Sequence, residues 1–301
     1  MTLPDTIAAV AVRTPWLSRP ALWCAVRFSM ATGRKLHWRA VRLANSLDYR
    51  APVGARLGNG MPCLVPWIDD AGKAIHQSGW YEHDTIRAFQ TILKPGDTFL
   101  DIGANFGQYT LLGSKLVGES GHVIAFEPEP VSYAWLAGNV RRNELANVRL
   151  VSCALGEKAA TLDLYVGSPD NLGTTSFRKQ YNFSGRTVAV PVRTLDEYCG
   201  SQGIAAVNAI KLDVEGAELS VLRGAERVLA SHPILVVEFE ESNQRRFDLS
   251  CDDLERFLTA RGYELHTIGA DGATTPYTAA DARAHRSLNV LARPRAEHSR
   301  F

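Results

Sequence analysis

The chain has 301 residues, 46% apolar and 22% charged, enough for one large domain or two small ones whose core needs no metal or disulfide staples. Its 33 Lys+Arg nearly balance 32 Asp+Glu, for a formal charge of +1, which argues against a protein built to coat DNA. The same composition excludes disorder, collagen-like repeats and a disulfide-dense scaffold.

Residues 1–50 carry eight Lys/Arg against Asp5 and Asp48, a net of +6 that leaves −5 for the remainder. Trp16, Leu17, Leu22, Trp23, Val26, Phe28 and Met30 are interleaved with those charges, which predicts short amphipathic helices. Such an extension either packs on the main domain with its basic residues solvated, or offers a peripheral contact to an anionic membrane or a protein. Residues 51–80 are rich in Gly and Pro and read as turns and short strands linking two parts. The expected division is an extension and linker over 1–80, a main domain over 81–294 and a tail over 295–301.

From Tyr81 the pattern is regular. Residues 81–93 read as a helix stopped by Pro95-Gly96. Strands are predicted at 98–101, 122–126, 148–153, 209–213 and 234–238, alternating with helices at 107–117, 130–143, 217–230 and 252–261. A closing pair of strands is expected at 263–268 and 288–292. This alternation means an open α/β, mostly parallel sheet with helices on both faces. The stretch between 154 and 198 breaks the rhythm, with half-buried strands at 160–166 and 188–192. Between them Gly167–Gly185 is polar and without periodicity, as expected of a functional lid or a disordered insert.

Cys24, Cys63, Cys153, Cys199 and Cys251 are odd in number and form no C-x-x-C pair, which predicts free thiols in a reducing compartment. His and Cys do not cluster at zinc spacing. No apolar run reaches the roughly 18–20 residues of a membrane span. With no secretory pattern at the N-terminus, a cytoplasmic location is expected.

Ligands of such sheets bind beyond the carboxyl ends of the strands, so the residues ending each strand carry the reading. The first ends in Asp101-Ile-Gly103-Ala104-Asn105-Phe-Gly107 and runs into a helix. Gly103 permits a tight turn, Asn105 tolerates left-handed dihedrals and Gly107 allows close packing. This D-x-G-x-x-x-G differs from the pyrophosphate fingerprint G-x-G-x-x-G. Asp101 offers a carboxylate to a cationic group, such as the amino group of a methionine moiety. Glu127, twenty-six residues on, ends the second strand, where a carboxylate accepts bonds from ribose hydroxyls. Together they point to an adenosyl-type ligand. The segment Lys211-Leu-Asp213-Val-Glu215-Gly-Ala-Glu218 ends a later strand, and persistence of the strand would put Lys211, Asp213 and Glu215 on one side. Such charges are costly to bury unless they pair or bind something. Glu218 reads instead as a helix-terminus residue. Glu238 is expected beside Asp213 across the sheet.

These segments, with Phe126-Glu127-Pro128, Thr194-Leu195-Asp196 and Val237-Glu238, resemble the FkbM-type S-adenosylmethionine-dependent methyltransferases, in matching order from about Tyr81 to Arg293. The resemblance implies a class I methyltransferase (Rossmann-like) sheet of seven strands, the last antiparallel, and O-methylation of sugar hydroxyls or polyketide natural products. By position it assigns Asp101, Gly103, Ala104, Asn105, Gly107, Glu127 and Asp213 to the cofactor, with Ala154 against the adenine. Asp213 and Glu215 are expected near the transferred methyl group.

A positioned base would deprotonate the acceptor hydroxyl. Asp213 or Glu215 is expected in that role, Glu238 next, with Lys211 orienting the acids. A competing version has Asp213 and Glu238 holding a divalent cation; with no third ligand evident, no metal is assigned. Asn171, Thr174, Thr175 and Ser176 of the lid are expected to contact a small-molecule or saccharide acceptor. Two other functions remain open: an RNA methyltransferase using the basic N-terminal segment, and a non-catalytic adenosyl-binding module. The former lacks the Asn-Pro-Pro-Tyr type of motif that reaches a flipped base.

Overall fold

The structure, a computed structural model, describes residues 52–278 and 287–296, with isolated positions at 20, 23, 24, 27, 32 and 281. The helices expected in the basic N-terminal segment, and its membrane or partner contact, lie outside the described residues. The chain divides into two compact units. One holds the described residues up to Tyr81, together with Tyr165–Thr174 and Lys179–Arg186; the other holds Glu82–Leu164, Thr175–Arg178 and the chain from Thr187 onward. Among the described residues no helix is long and apolar enough to cross a membrane.

In the first unit, β1 (Pro52–Arg56) and β2 (Pro62–Pro66) form an antiparallel hairpin, followed by α1 (Asp70–Ser78). The Gly/Pro content of this stretch conceals the helix, because its glycines serve packing and termination. A Cβ on Gly72 would sit 1.9 Å from the Pro66 carbonyl oxygen, and Gly79 ends the helix in the left-handed region (φ +82°). Asp69 caps α1 by accepting the Gly72 N–H, and its other carboxylate oxygen accepts the Leu172 N–H at 2.8 Å. One buried side chain thus ties the 165–174 segment to the helix start.

The second unit is an α/β sheet of eight strands. β3 (Thr98–Ile102), β4 (His122–Phe126), β5 (Val148–Val151), β9 (Ala209–Leu212) and β10 (Ile234–Phe239) run parallel in the order β5-β4-β3-β9-β10. β13 (Leu288–Pro294) pairs antiparallel with β10 and with β11 (Tyr263–Ile268). The eighth strand, β12 (Thr274–Pro276), corrects the expectation of seven: Gly272 (φ +80°) lets the chain turn back and pair on β11. Residues 209–212 are all buried, as a strand covered on both faces requires. The covering helices are α2 (His83–Ile92), α3 (Gln108–Val117), α4 (Pro130–Arg142), α5 (Leu195–Ser201), α6 (Glu218–Arg223), α7 (Glu226–Leu229), α8 (Glu241–Arg245) and α9 (Cys251–Thr259). A Cβ on Gly113 would lie 2.5 Å from the Phe99 ring, so α3 seats directly on β3.

The strand expected over 148–153 ends at Val151, and Ala154–Leu155 instead forms β6 of a separate sheet in the order β6-β8-β7, with β7 at Ala160–Gly167 and β8 at Phe183–Arg193. The helix expected over 217–230 is interrupted at Gly224, where the backbone passes so close to residue 156 that a Cβ would meet the Gly156 carbonyl oxygen at 2.1 Å. Between β7 and β8 the regular structure is a single 3-10 turn at Leu172–Thr174.

Gly224→Ala is therefore expected to cost on the order of 1–3 kcal/mol through forced backbone displacement. Urea unfolding checks this, with a lower midpoint and an unchanged m-value as the expected result.

Candidate active site

The carboxyl ends of β3, β4, β9 and β10 bring most of the expected residues into one neighbourhood. Asp101 lies on β3 opposite Lys211 on β9, the adjacent parallel strand. Past Asp101 the chain turns through Gly103 (φ +85°), Asn105 (φ +51°) and Gly107 (φ +98°) before α3 begins. The N–H groups of Gly103 and Ala104 both donate to the Phe126 carbonyl at 3.0 Å. A Cβ on Gly103 would stand 1.8 Å from the Asp213 carbonyl oxygen. Only glycine allows this loop to lie so close to the end of β9.

Glu127, at the tip of β4, fixes the same loop. One carboxylate oxygen accepts the Asn105 N–H at 2.8 Å and the other accepts the Glu129 N–H at 2.8 Å. Each oxygen keeps a further lone pair for a hydroxyl donor. The Asn105 side-chain oxygen is buried without a partner, an unsatisfied acceptor. An adenosyl ligand bearing hydroxyl and amino donors fits this pairing of loop and carboxylate. Asp101 is almost wholly buried, accepting from the Thr110 hydroxyl. Ala154 is buried in the small-sheet core with Leu164, Val190 and Val192.

Lys211 is 1% exposed, and its ammonium donates to Asp213 Oδ2 at 2.9 Å. It also lies 5.2 Å from the centre of the Tyr109 ring. β9 stops at Leu212, and Glu215 has φ +56°, so the extended path expected through Glu215 is replaced by a turn. The acids converge nonetheless. One carboxylate oxygen from each of Asp213, Glu215 and Glu238 lies within 4.8 Å of the others. Glu215 is oriented by the Asn243 amide at 2.8 Å and Glu238 by the Ser287 hydroxyl at 2.9 Å. Glu218 takes no part in the cluster. One of its oxygens accepts the N–H groups of Val214 and Gly216, closing the turn before α6, and the other accepts from Gln244.

Several contributors carry no local sequence signal. Glu82 precedes α2 with φ +53° and accepts from the Tyr109 hydroxyl at 2.6 Å and from the Asn289 amide at 2.9 Å. This network joins the starts of α2, α3 and β13. Tyr109 lies two residues after the glycine loop, the one hint available. Of the residues expected in a lid, Ser176 donates its hydroxyl to the Glu215 carbonyl at 2.8 Å. Thr174 bonds the Asn171 carbonyl and the Asn182 side chain within the first unit. Thr175 neighbours Ser176 in the second unit.

Burial raises the carboxyl groups here. Asp101 is pushed up to about 6, burial outweighing its Thr110 bond and the nearby Lys211 charge. Glu127 rises to about 8, burial prevailing over two amide bonds. Burial, then the Asp213 charge, holds Glu215 and Glu238 well above the usual carboxylate range. For Lys211 burial acts to lower the ammonium, but Asp213 and Glu82 overcome it and raise it.

A family described as the methyltransferase FkbM domain matches residues 101–265, more than half of the chain. The chain belongs to this family of methyltransferases. Over 161 residues it is 31% identical to the 31-O-demethyl-FK506 methyltransferase FkbM of Streptomyces tacrolimicus, covering 44% of this chain and 61% of that protein. It is 28% identical over 159 residues to the hexuronic acid methyltransferase AglP of Haloferax volcanii, covering 52% and 62% respectively. The chain thus spans about three fifths of the length of these curated relatives. A solved methyltransferase FkbM from Methylobacillus flagellatus aligns with a TM-score of 0.43 at 20% identity, over 68% of this chain and 49% of that one.

The raised Glu127 pKa has a consequence for folding. Between its ordinary value of 4.5 and about 8, the folded state holds a proton that the unfolded chain releases. Stability contributed by this group is complete at low pH, declines through that window and is flat above it. Glu127→Gln is expected to make urea-derived stability fall less steeply than wild type between those limits.

Proposed function

We propose that the protein is an S-adenosylmethionine-dependent O-methyltransferase acting on a hydroxyl of a saccharide or polyketide-type product. The observation that carries this reading is the meeting of two features at one sheet edge. A positive-φ loop with an unsatisfied Asn105 oxygen is braced by Glu127, and its Gly103 lies against the carbonyl of Asp213, which belongs to the acid cluster. The names of the relatives, one acting on a demethylated FK506 and the other on a hexuronic acid, support a hydroxyl-bearing acceptor.

S-adenosylmethionine supplies a methyl group activated on sulfur, and the chain's own work is to bind, align and deprotonate. Asn105 and the outer lone pairs of Glu127 hold the adenosyl portion, and Asp101 supplies negative potential for the amino group. Asp213, its side chain 30% exposed, takes the acceptor's hydroxyl proton, with Glu215 and Glu238 next in line. Lys211 holds the Asp213 carboxylate in place by donating to its Oδ2 at 2.9 Å, which would leave the other oxygen for the acceptor hydroxyl. Alignment supplies several kcal/mol of the barrier reduction, because it converts an encounter into a positioned displacement. Ser176 borders the acceptor side through its hydroxyl bond to the Glu215 carbonyl, with Thr175 beside it in sequence.

Transfer of a labelled methyl group to a panel of saccharides, macrolide polyols and RNA tests this. Incorporation into hydroxyl acceptors is expected, and incorporation into RNA alone would overturn the proposal. Asp213→Asn is expected to lower kcat roughly 10²–10⁴-fold, with S-adenosylhomocysteine affinity changed far less.

A further inference from the structure

We infer that Asp213, Glu215 and Glu238 form a binding site for one divalent cation of the oxygen-preferring class, magnesium or manganese. The three carboxylates come from the end of β9, the turn after it and β10, and each offers an oxygen within 4.8 Å of the other two. Oxygens bound to magnesium at about 2.1 Å stand about 3 Å apart when adjacent and about 4.2 Å apart when opposite. The cluster therefore reaches this geometry with side-chain movements of an ångström or less.

The surroundings favour a ligand rather than a mere crowding of acids. Each carboxylate is held from outside by a different donor: Asp213 by Lys211, Glu215 by Asn243 and Glu238 by Ser287. Outer donors of this kind orient carboxylates that bind a metal. Glu238 is only 8% exposed, and its second oxygen is buried with no hydrogen-bond partner. A buried carboxylate oxygen with no donor is costly, and a cation would satisfy it. Proton abstraction alone needs one carboxylate, whereas a hard cation needs several oxygen ligands.

The inference deepens the proposed function, on which its catalytic meaning rests: the cation would hold and polarise the acceptor hydroxyl on the exposed side of Asp213. The site itself is read by metal uptake. The experiment titrates manganese chloride into the full chain after EDTA treatment and buffer exchange, following heat and the free-ion electron paramagnetic resonance signal. Uptake of about one ion per chain is expected, weakened at least about tenfold by Glu238→Gln. Glu264→Gln, an exposed carboxylate on β11, leaves uptake unchanged. Magnesium displaces the bound manganese. Absence of saturable uptake overturns the inference, as does uptake unaffected by Glu238→Gln, which would place the ion on surface acids. Should Glu238→Gln lose its thermal unfolding transition, Glu215→Gln is judged by the same criterion. A thermal shift with S-adenosylhomocysteine on metal-free protein separates the two readings. Retained shift without cation uptake removes the cation site alone, and cation uptake without any shift removes the proposed function alone.

Discussion

The organising constraint of this molecule is one ammonium among many carboxylates at the edge of a parallel sheet. Lys211 sits on β9, covered on both faces, and its charge is retained because Asp213 accepts from it and Asp101 and Glu82 stand near. A buried lysine without such partners loses its proton, and buried acids without a cation gain theirs. The arrangement is therefore mutually dependent. Replacing one partner leaves an uncompensated charge, a far larger penalty than the net worth of the pair. Sheet geometry sets this group, since the β3–β9 register places Asp101 opposite Lys211.

The loop after β3 attaches to that edge by contacts that leave little slack. Gly103 rests on the Asp213 carbonyl and Glu127 grips the Asn105 amide, so the loop is braced against the ends of both β9 and β4. Residues held at positive φ store strain that the surrounding structure must over-determine. Here the over-determination is visible in the paired amides donating to Phe126. A rigid loop of this kind pays little ordering entropy when a ligand arrives, which is the physical advantage of a preformed site.

Much of the fold was legible because strands and helices alternate with clear periods, and β4 falls at His122–Phe126 as its apolar pattern predicts. What was not legible depends on distant backbone. Helix α1 hides behind Gly72 and Gly79, residues that read as loop until Pro66 is seen against Gly72. The break at Gly224 depends on Gly156, and the eighth strand on a turn at Gly272. At the site, the gathering of Lys211, Asp213 and Glu238 follows from strand ends in adjacent positions. Glu215 joins them by a different route from the one its alternation suggests, through a left-handed turn. Of the Glu82–Tyr109–Asn289 network only the place of Tyr109 after the glycine loop was a hint, since Glu82 and Asn289 are 207 residues apart.

The central claim is that this sheet edge is built to hold an adenosyl ligand by a preformed loop. Calorimetry with S-adenosylhomocysteine on the wild-type chain and on Asn105→Gly tests it most directly, because glycine keeps the left-handed backbone and removes the side chain that carries the unsatisfied oxygen. Saturable binding at a single site is predicted, weakened about tenfold in the variant, the worth of one hydrogen bond to a buried group. No heat of binding by the wild type, or equal affinity in both proteins, would contradict the account.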